Sequence, residues 1–324
     1  MANADGLIYA VWLDGEGSGR QLGWDELDQF ETGKGFLWLH FDYTQEQAQE
    51  WVSNESGLHA ADIEALLKEE TRPRCVPSHQ GVLVALRGVN LNPGADPEDM
   101  VALRIWADKD RVITTRYRRH MWEADVLDAI EAGNGPLSSG DFLIMVTELM
   151  VGRIHAVVED LEEQAALLEQ AVLEQKSESI RTQLADLRRQ AINLHRYLAP
   201  QREALARLHS EKIAWLSDAD RLHLREVHDR MGRTVEDLDA ARERAAITQE
   251  ELDNRMAEQL NQRMYMLSMV AALFMPLTFL TGLLGINVGG IPGAENKQAF
   301  ILVCLILAGI GLVLYLLFRK RKWM

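Results

Sequence analysis

Residues 264–287 read MYMLSMVAALFMPLTFLTGLLGIN. No charged side chain occurs among them, and Tyr265, Ser268, Thr278 and Thr281 are the polar interruptions before Leu284. A helix needs roughly 20 predominantly apolar residues to cross a bilayer, so residues 263–284 are expected to form a transmembrane helix. A second apolar run, AFILVCLILAGIGLVLYLLF at residues 299–318, follows the short link 285–298. The two runs are expected to form a helical hairpin. Arg319, Lys320, Arg321 and Lys322 come next, and cations clustered at a helix end mark the cytoplasmic side. Two crossings then put both termini in the cytoplasm, with 319–324 as a basic tail. The link between the crossings carries only Glu295 and Lys297 as charges, so it is easily translocated.

About 260 of the 324 residues precede the first crossing, enough for one large or two modest domains. The N-terminus lacks a basic region followed by a long apolar core, so no cleaved signal peptide is expected. Cys75 and Cys304 fall on opposite sides of the membrane boundary, which excludes a disulfide between them and fits a reducing compartment. The net charge of −15 repels nucleic acid and attracts cations. The acidic residues are spread through helical segments, as solvated helix faces would have them.

Residues 1–135 read as a mixed α/β domain. Strands are expected at 7–12, 36–41, 82–91, 101–107 and 112–117, where β-branched and aromatic residues are bounded by Gly, Pro, Asn and Asp. Helical spacing occupies 45–52 and 60–68. From residue 136 to 262 only helix is expected. Phe142, Met145, Leu149, Ile154, Val158, Leu161, Ala165, Leu168 and Val172 form one apolar stripe. A second helix runs from about Ile180 past Leu198 until Pro200 kinks or ends it. Ser217 and Asp220 resemble a capping box that starts a third. No helix breaker other than Gly232 appears from Asp218 to Pro276, which lies within the first crossing. A helix that long, roughly 100 Å at 1.5 Å per residue, must pack against copies of itself or against the preceding helices. Val227, Met231, Val235, Leu238 and Ala241 or Ala245 supply the seam.

Phe274-Met275-Pro276-Leu277-Thr278-Phe279, followed by Gly285-Ile286-Asn287, resembles the CorA superfamily of divalent-cation transporters, and the order of parts matches over nearly the whole chain. The resemblance implies an α+β cytoplasmic funnel domain with α/β/α layers, a very long stalk helix, a two-helix transmembrane hairpin and a homopentamer around a central pore. Gly285 to Gly293 and the terminal Lys322-Trp323 are similar to the ZntB zinc-transporter branch. The magnesium branch has Tyr-Gly-Met-Asn followed by Met-Pro-Glu-Leu; here Leu284 precedes Gly285, Ile286 is the middle residue, and no Met-Pro-Glu-Leu follows. The implied activity is zinc uptake across a bacterial inner membrane, coupled to protons. The alternative is a CorA-type magnesium or cobalt channel gated by intracellular divalent ions.

The resemblance assigns Asn261, Met264, Leu267, Ala271, Met275 and Thr278 to the pore lining, and Gly285, Ile286 and Asn287 to a selectivity motif at its outer mouth. Packing alone accounts for any single Met or Leu among them; the familial register argues for the set. Five Asn287 carboxamides would offer neutral acceptors suited to the water shell of an ion. Met264, Leu267 and Met275 would form apolar constrictions. Zinc prefers Cys, His and carboxylate ligands, and the first crossing has none. The cargo, Zn²⁺ with Co²⁺, Ni²⁺, Cd²⁺ or Mg²⁺ as weakly discriminated competitors, is therefore expected to pass hydrated. Proton coupling would use groups outside this crossing, or water. His155 and Glu159, one helical turn apart, are candidate metal ligands in the cytoplasmic part. No resident cofactor is expected. A non-conducting membrane scaffold would have no use for Gly285-Ile286-Asn287, and no phosphate loop or nucleophile–base motif points to an enzyme.

Overall fold

The computed structural model describes residues 6–27, 35–69, 71–174, 179–286, 291, 293 and 296–320. Asn287, Glu295, Arg321, Lys322 and Trp323 lie outside the described residues. The chain divides into two compact units, residues 1–249 and 250–324.

The first unit begins with β1 (Leu7–Leu13), β2 (Gly19–Gln21), the single turn α1 (Trp24–Leu27), β3 (Phe36–Asp42), α2 (Glu46–Asn54) and α3 (Ala60–Leu67). It continues with β4 (Arg74–Pro77), β5 (Val82–Gly88), β6 (Val101–Ala107), β7 (Arg111–Arg116) and α4 (Trp122–Glu131). The strands form one sheet in the order β2-β1-β3-β7-β6-β5-β4, parallel only between β3 and β7. β3 explains the layering. Successive strand side chains face opposite sides, and all of Phe36 to Phe41 are buried. Leu37, Leu39 and Phe41 join a core with Ala48 and Val52 of α2 and Ala65 and Leu66 of α3. On the other face Trp38 meets Trp122 of α4 at 5.9 Å and Phe142 at 5.1 Å between ring centroids. A strand covered on both sides must be apolar throughout.

Three long helices follow: α5 (Ser139–Leu173), α6 (Ile180–Ser210) and α7 (Asp218–Leu284). Ser138 caps α5 by accepting from the Asp141 amide at 3.1 Å. The expected box at Ser217 forms in both directions, Asp220 N–H to Ser217 Oγ at 3.1 Å and Ser217 N–H to Asp220 Oδ2 at 2.9 Å. The two helix starts approach so closely that a Cβ at Gly140 would lie 2.8 Å from Asp220 Oδ2. The seam of α7 is buried at Leu224, Val227, Met231, Val235, Leu238, Ala241 and Ala245. It is tied to α6 by Arg188 to Gln249 at 3.0 Å and to α5 by Arg244 with Glu169 at 3.9 Å.

Several expectations need correction. Pro200 does not end α6, which runs ten residues further to Ser210. The N–H that proline lacks costs a few kcal/mol in a helix, and burial of Gln201, Ala204, Leu205 and Leu208 beyond it outweighs that cost. The strand expected to reach Leu91 stops at Gly88. The edge strands β2 and β4 were not foreseen, being short and marked by Gly19 and Pro77, residues that edges tolerate. Nor were α1 and α4.

Under α4 lies a buried polar group. Trp38 Nε1 donates to Thr114 Oγ1 at 2.9 Å, and His40 Nδ1 lies 2.7 Å from the same oxygen. Glu123 Oε1 accepts the His120 amide at 2.9 Å and sits 3.3 Å from His40 Nε2 and 3.1 Å from Arg116. Burial lowers the pKa of His40 against the opposing pull of Glu123, and pushes His120 down to about 4. Burial also opposes the Glu123 charge, but His40, Arg116 and the His120 amide together hold its pKa below the ordinary value.

These shifts fix the direction of the acid response. Near neutral pH the two histidines are uncharged in the folded chain. As pH falls below about 6.5 the unfolded chain takes up protons at both histidines that the folded chain refuses, at His120 until about 4, so stability is lost across that window; Glu123 adds to the loss below the usual carboxylate range. His120 alone contributes about 3 kcal/mol of it, at 1.36 kcal/mol per unit. Thermal unfolding of the detergent-solubilised chain is therefore expected to move to lower temperature from pH 6.5 to 4, with a shallower slope in His120→Gln. Ser217→Ala should cost about 1 kcal/mol at all pH values in the same measurement.

Candidate functional site

The second unit contains the last part of α7 and a separate helix, α8 (Ala299–Lys320). Both are long and apolar enough to cross a membrane, and their apolar windows have no buried residue. In α7 the last buried residue is Thr248. From Met264 the helix holds only uncharged side chains. The Thr281 hydroxyl needs no outside partner: its Oγ1 donates back within the helix, 3.0 Å from the Leu277 and Thr278 carbonyl oxygens. Pro276 lies inside the helix without ending it. Its missing N–H leaves the Ala272 carbonyl without its helical partner.

The six residues proposed from sequence to line a pathway share one open face. Asn261, Met264, Leu267, Ala271, Met275 and Thr278 are all exposed, Leu267 at 64 % and Met275 at 70 %. The partly covered positions of the same segment are Met269, Leu273, Pro276, Leu277 and Leu280. At about 100° per residue the two sets are centred on opposite sides of the helix. α8 likewise has one partly covered stripe, at Ala299, Val303, Leu307, Ile310, Gly311, Leu314 and Phe318. Cys304 is exposed, off that stripe.

The helix closes at Leu284, with the Gly285 amide donating to Thr281 O at 2.9 Å. Gly285 and Ile286 are exposed just past this end, and Asn287 is outside the described residues.

In the first unit His155 and Glu159 stand one turn apart on α5. The His155 ring Nδ1 lies 3.4 Å from Thr234 Oγ1 of α7, in a cavity shared with Arg230, Arg233, Glu236 and Asp237. Glu159 lines a different cavity with Asp160, Glu162, Glu163 and Arg244. Among the described residues no group of three or more His, Cys, Asp or Glu is arranged to hold a metal ion. Cys75 is buried and its thiol is pushed up to about 12, chiefly by burial, so it is no thiolate at neutral pH. The His79 ring lies tilted against His59 with centroids 4.9 Å apart, and His228 against His209 at 5.4 Å. Neither pairing is visible in sequence spacing, because each joins separate segments.

Comparison with known proteins agrees with this arrangement of parts. The profile of the family described as CorA-like Mg2+ transporter protein matches residues 33–320. The divalent cation transporter CmaX of Pseudomonas aeruginosa is 38 % identical over 322 residues, 98 % of this chain and 97 % of that protein. The solved structure of full-length CmaX superposes with a TM-score of 0.86, covering 99 % of both chains. The zinc transport protein ZntB of Yersinia enterocolitica is 35 % identical over 317 residues, 98 % of this chain and 96 % of that protein. The CorA magnesium transporter of Methanocaldococcus jannaschii, at 18 % identity, has the same fold with a TM-score of 0.82 over 98 % of each chain. With an α/β unit, a long helix and a C-terminal apolar helix in the order these relatives share, the chain belongs to the CorA-like Mg2+ transporter protein family.

Proposed function

We propose that this chain carries divalent cations, zinc among them, across the bacterial inner membrane as a homopentamer. The observation that carries the reading is the uncharged open stripe of α7, Asn261 to Thr278, set opposite the partly covered face of the same helix. In a single chain such a stripe leaves polar Asn261 and Thr278 with no evident task. Around a fivefold axis it becomes the wall of a pathway. The partly covered stripes of α7 and α8 then face each other as a transmembrane hairpin, and the exposed part of α7 from Glu250 gains neighbours from other subunits. Met256 and Leu260, 51 % and 61 % exposed, would be covered there.

In this arrangement residues 285–298 form the periplasmic link, and Asn287 rings the outer mouth. Carboxamide oxygens accept hydrogen bonds from the water shell of an ion without the tight grip of a carboxylate ring. Met264, Leu267 and Met275 narrow the path with apolar rings that close it by excluding water. Both termini lie in the cytoplasm, where Arg319 and Lys320 at the end of α8 hold the second crossing. The names of the ZntB and CmaX relatives support zinc and, more broadly, divalent cations as cargo.

A second reading, a magnesium or cobalt channel, is favoured by the chemistry of the stripe itself. It has no thiolate, imidazole or carboxylate by which to prefer zinc over a harder ion. Proton coupling, if it accompanies zinc, uses titratable groups outside the crossings or protons carried by water.

Flux into reconstituted vesicles separates these readings. Zinc entry accelerated by an inward proton gradient, and exceeding magnesium entry, supports the first; magnesium flux that zinc cannot match selects the second. Asn287→Ala should cut flux at least tenfold and leave the oligomer intact, and unchanged flux would remove Asn287 from the pathway. In a background with Cys75 and Cys304 replaced, a cysteine at Met275 should cross-link between subunits under mild oxidation. A cysteine at Leu273, on the covered face, should not. The reverse pattern would invert the assignment of the two faces.

A further inference from the structure

A cavity of about 410 Å³ in the first unit collects four arginines, Arg87 from β5, Arg104 from β6, Arg118 after β7 and Arg196 from α6. The protein has 49 acidic against 34 basic residues, so its guanidinium groups have carboxylates in plenty to pair with. Yet none of these four makes an ion pair among the described residues. Their partners are carbonyl groups and aromatic rings.

Arg87 is a structural strut. Its Nη1 donates to Met100 O at 2.9 Å, its Nε and Nη2 donate to Thr71 O, and its guanidinium lies 4.5 Å from the Tyr197 ring centre. Arg104 is different. It is 1 % exposed, lies 4.5 Å from the Tyr43 ring centre, and donates from Nη2 to the Lys68 and Glu69 carbonyls. Its Nε and Nη1 are buried with no hydrogen-bond partner. Burial pulls its pKa down, as expected for a cation taken from water without a counter-ion. Arg118 and Arg196 are exposed and rest against Tyr117 and Tyr197, which leaves their planar forks open to a ligand.

The buried charge of Arg104 calls for a negative group nearby, and Arg118 and Arg196 can reach one that enters from solvent. The planar fork of arginine matches phosphate oxygens in pairs. Glu69, Glu98 and Asp99 also line the cavity. They would repel an extended polyanion but accept hydrogen bonds from hydroxyl groups. The volume lies within the range of small-molecule sites. We propose that this cavity binds a small organic phosphate of nucleotide or sugar-phosphate size, its phosphate on Arg118 and Arg196 in the field of Arg104 and its hydroxyls on the acidic side chains. The proposal does not rest on which cation is carried.

Calorimetric titration of the full-length chain in detergent tests it, with adenosine 5′-monophosphate, ribose 5-phosphate and inorganic phosphate as probes. Saturable binding of either organic phosphate, at least tenfold tighter than inorganic phosphate, is expected. The first probe binding tighter than the second identifies a nucleotide site, and equal binding a sugar-phosphate site. The double variant Arg118→Gln/Arg196→Gln should weaken binding tenfold or more with its unfolding temperature unchanged. Arg104→Met, where it folds, should also lose binding. No saturable heat with any probe up to millimolar concentration overturns the proposal, as does binding that the double variant leaves intact. Inorganic phosphate binding as tightly as the organic probes reduces the cavity to a simple anion site and overturns the proposed ligand class. Dissociation of the oligomer in the double variant, with no probe bound by the parent, assigns the arginines to a subunit contact instead.

Discussion

The backbone hydrogen-bond ladder of α7 is the constraint on which the rest depends. It runs from Asp218 to Leu284 with one rung missing at Pro276, so one helix serves both a packed seam and a membrane-spanning segment. Each part of its length meets a different solvent. The seam to Thr248 is buried against α5 and α6, the next stretch is polar and exposed, and the stretch from Met264 is apolar and exposed. A bilayer tolerates only backbone whose polar groups are satisfied internally. The helix meets that demand along its apolar stretch except at Pro276, where one carbonyl loses its helical partner.

The first unit is held together by a doubly covered strand. β3 is buried on both faces, and its inward polar residue, His40, is held in a group with Thr114, Glu123 and Arg116 instead of being replaced by another hydrophobe. Such a group stabilises only while its protonation states hold, because a buried charge without partners costs several kcal/mol. The same reasoning marks Arg104 as unusual, since its compensation is incomplete within the chain.

Much of this was legible from residue pattern. The strands β1, β3, β5, β6 and β7 declare themselves by runs of β-branched and aromatic side chains, and the seam of α7 by its spacing of three and four. The box at Ser217 was readable because its chemistry is local. Elements that depend on context were not: β4 exists because β5 offers it an edge, and α6 passes Pro200 because its buried face continues beyond it. For the candidate pathway, helical periodicity put Asn261 to Thr278 on one face. It could not say that the opposite face is the partly covered one.

The sequence by itself determined the membrane-spanning segments, the long helix and the family resemblance, because apolar length, helical period and short motifs are properties of contiguous residues. Only the tertiary structure decided which groups meet from separate elements. His40 with Glu123, His79 with His59, and the four arginines around one cavity are drawn together by sheet order and helix packing. No spacing along the chain encodes those distances, since each depends on where several elements come to rest together.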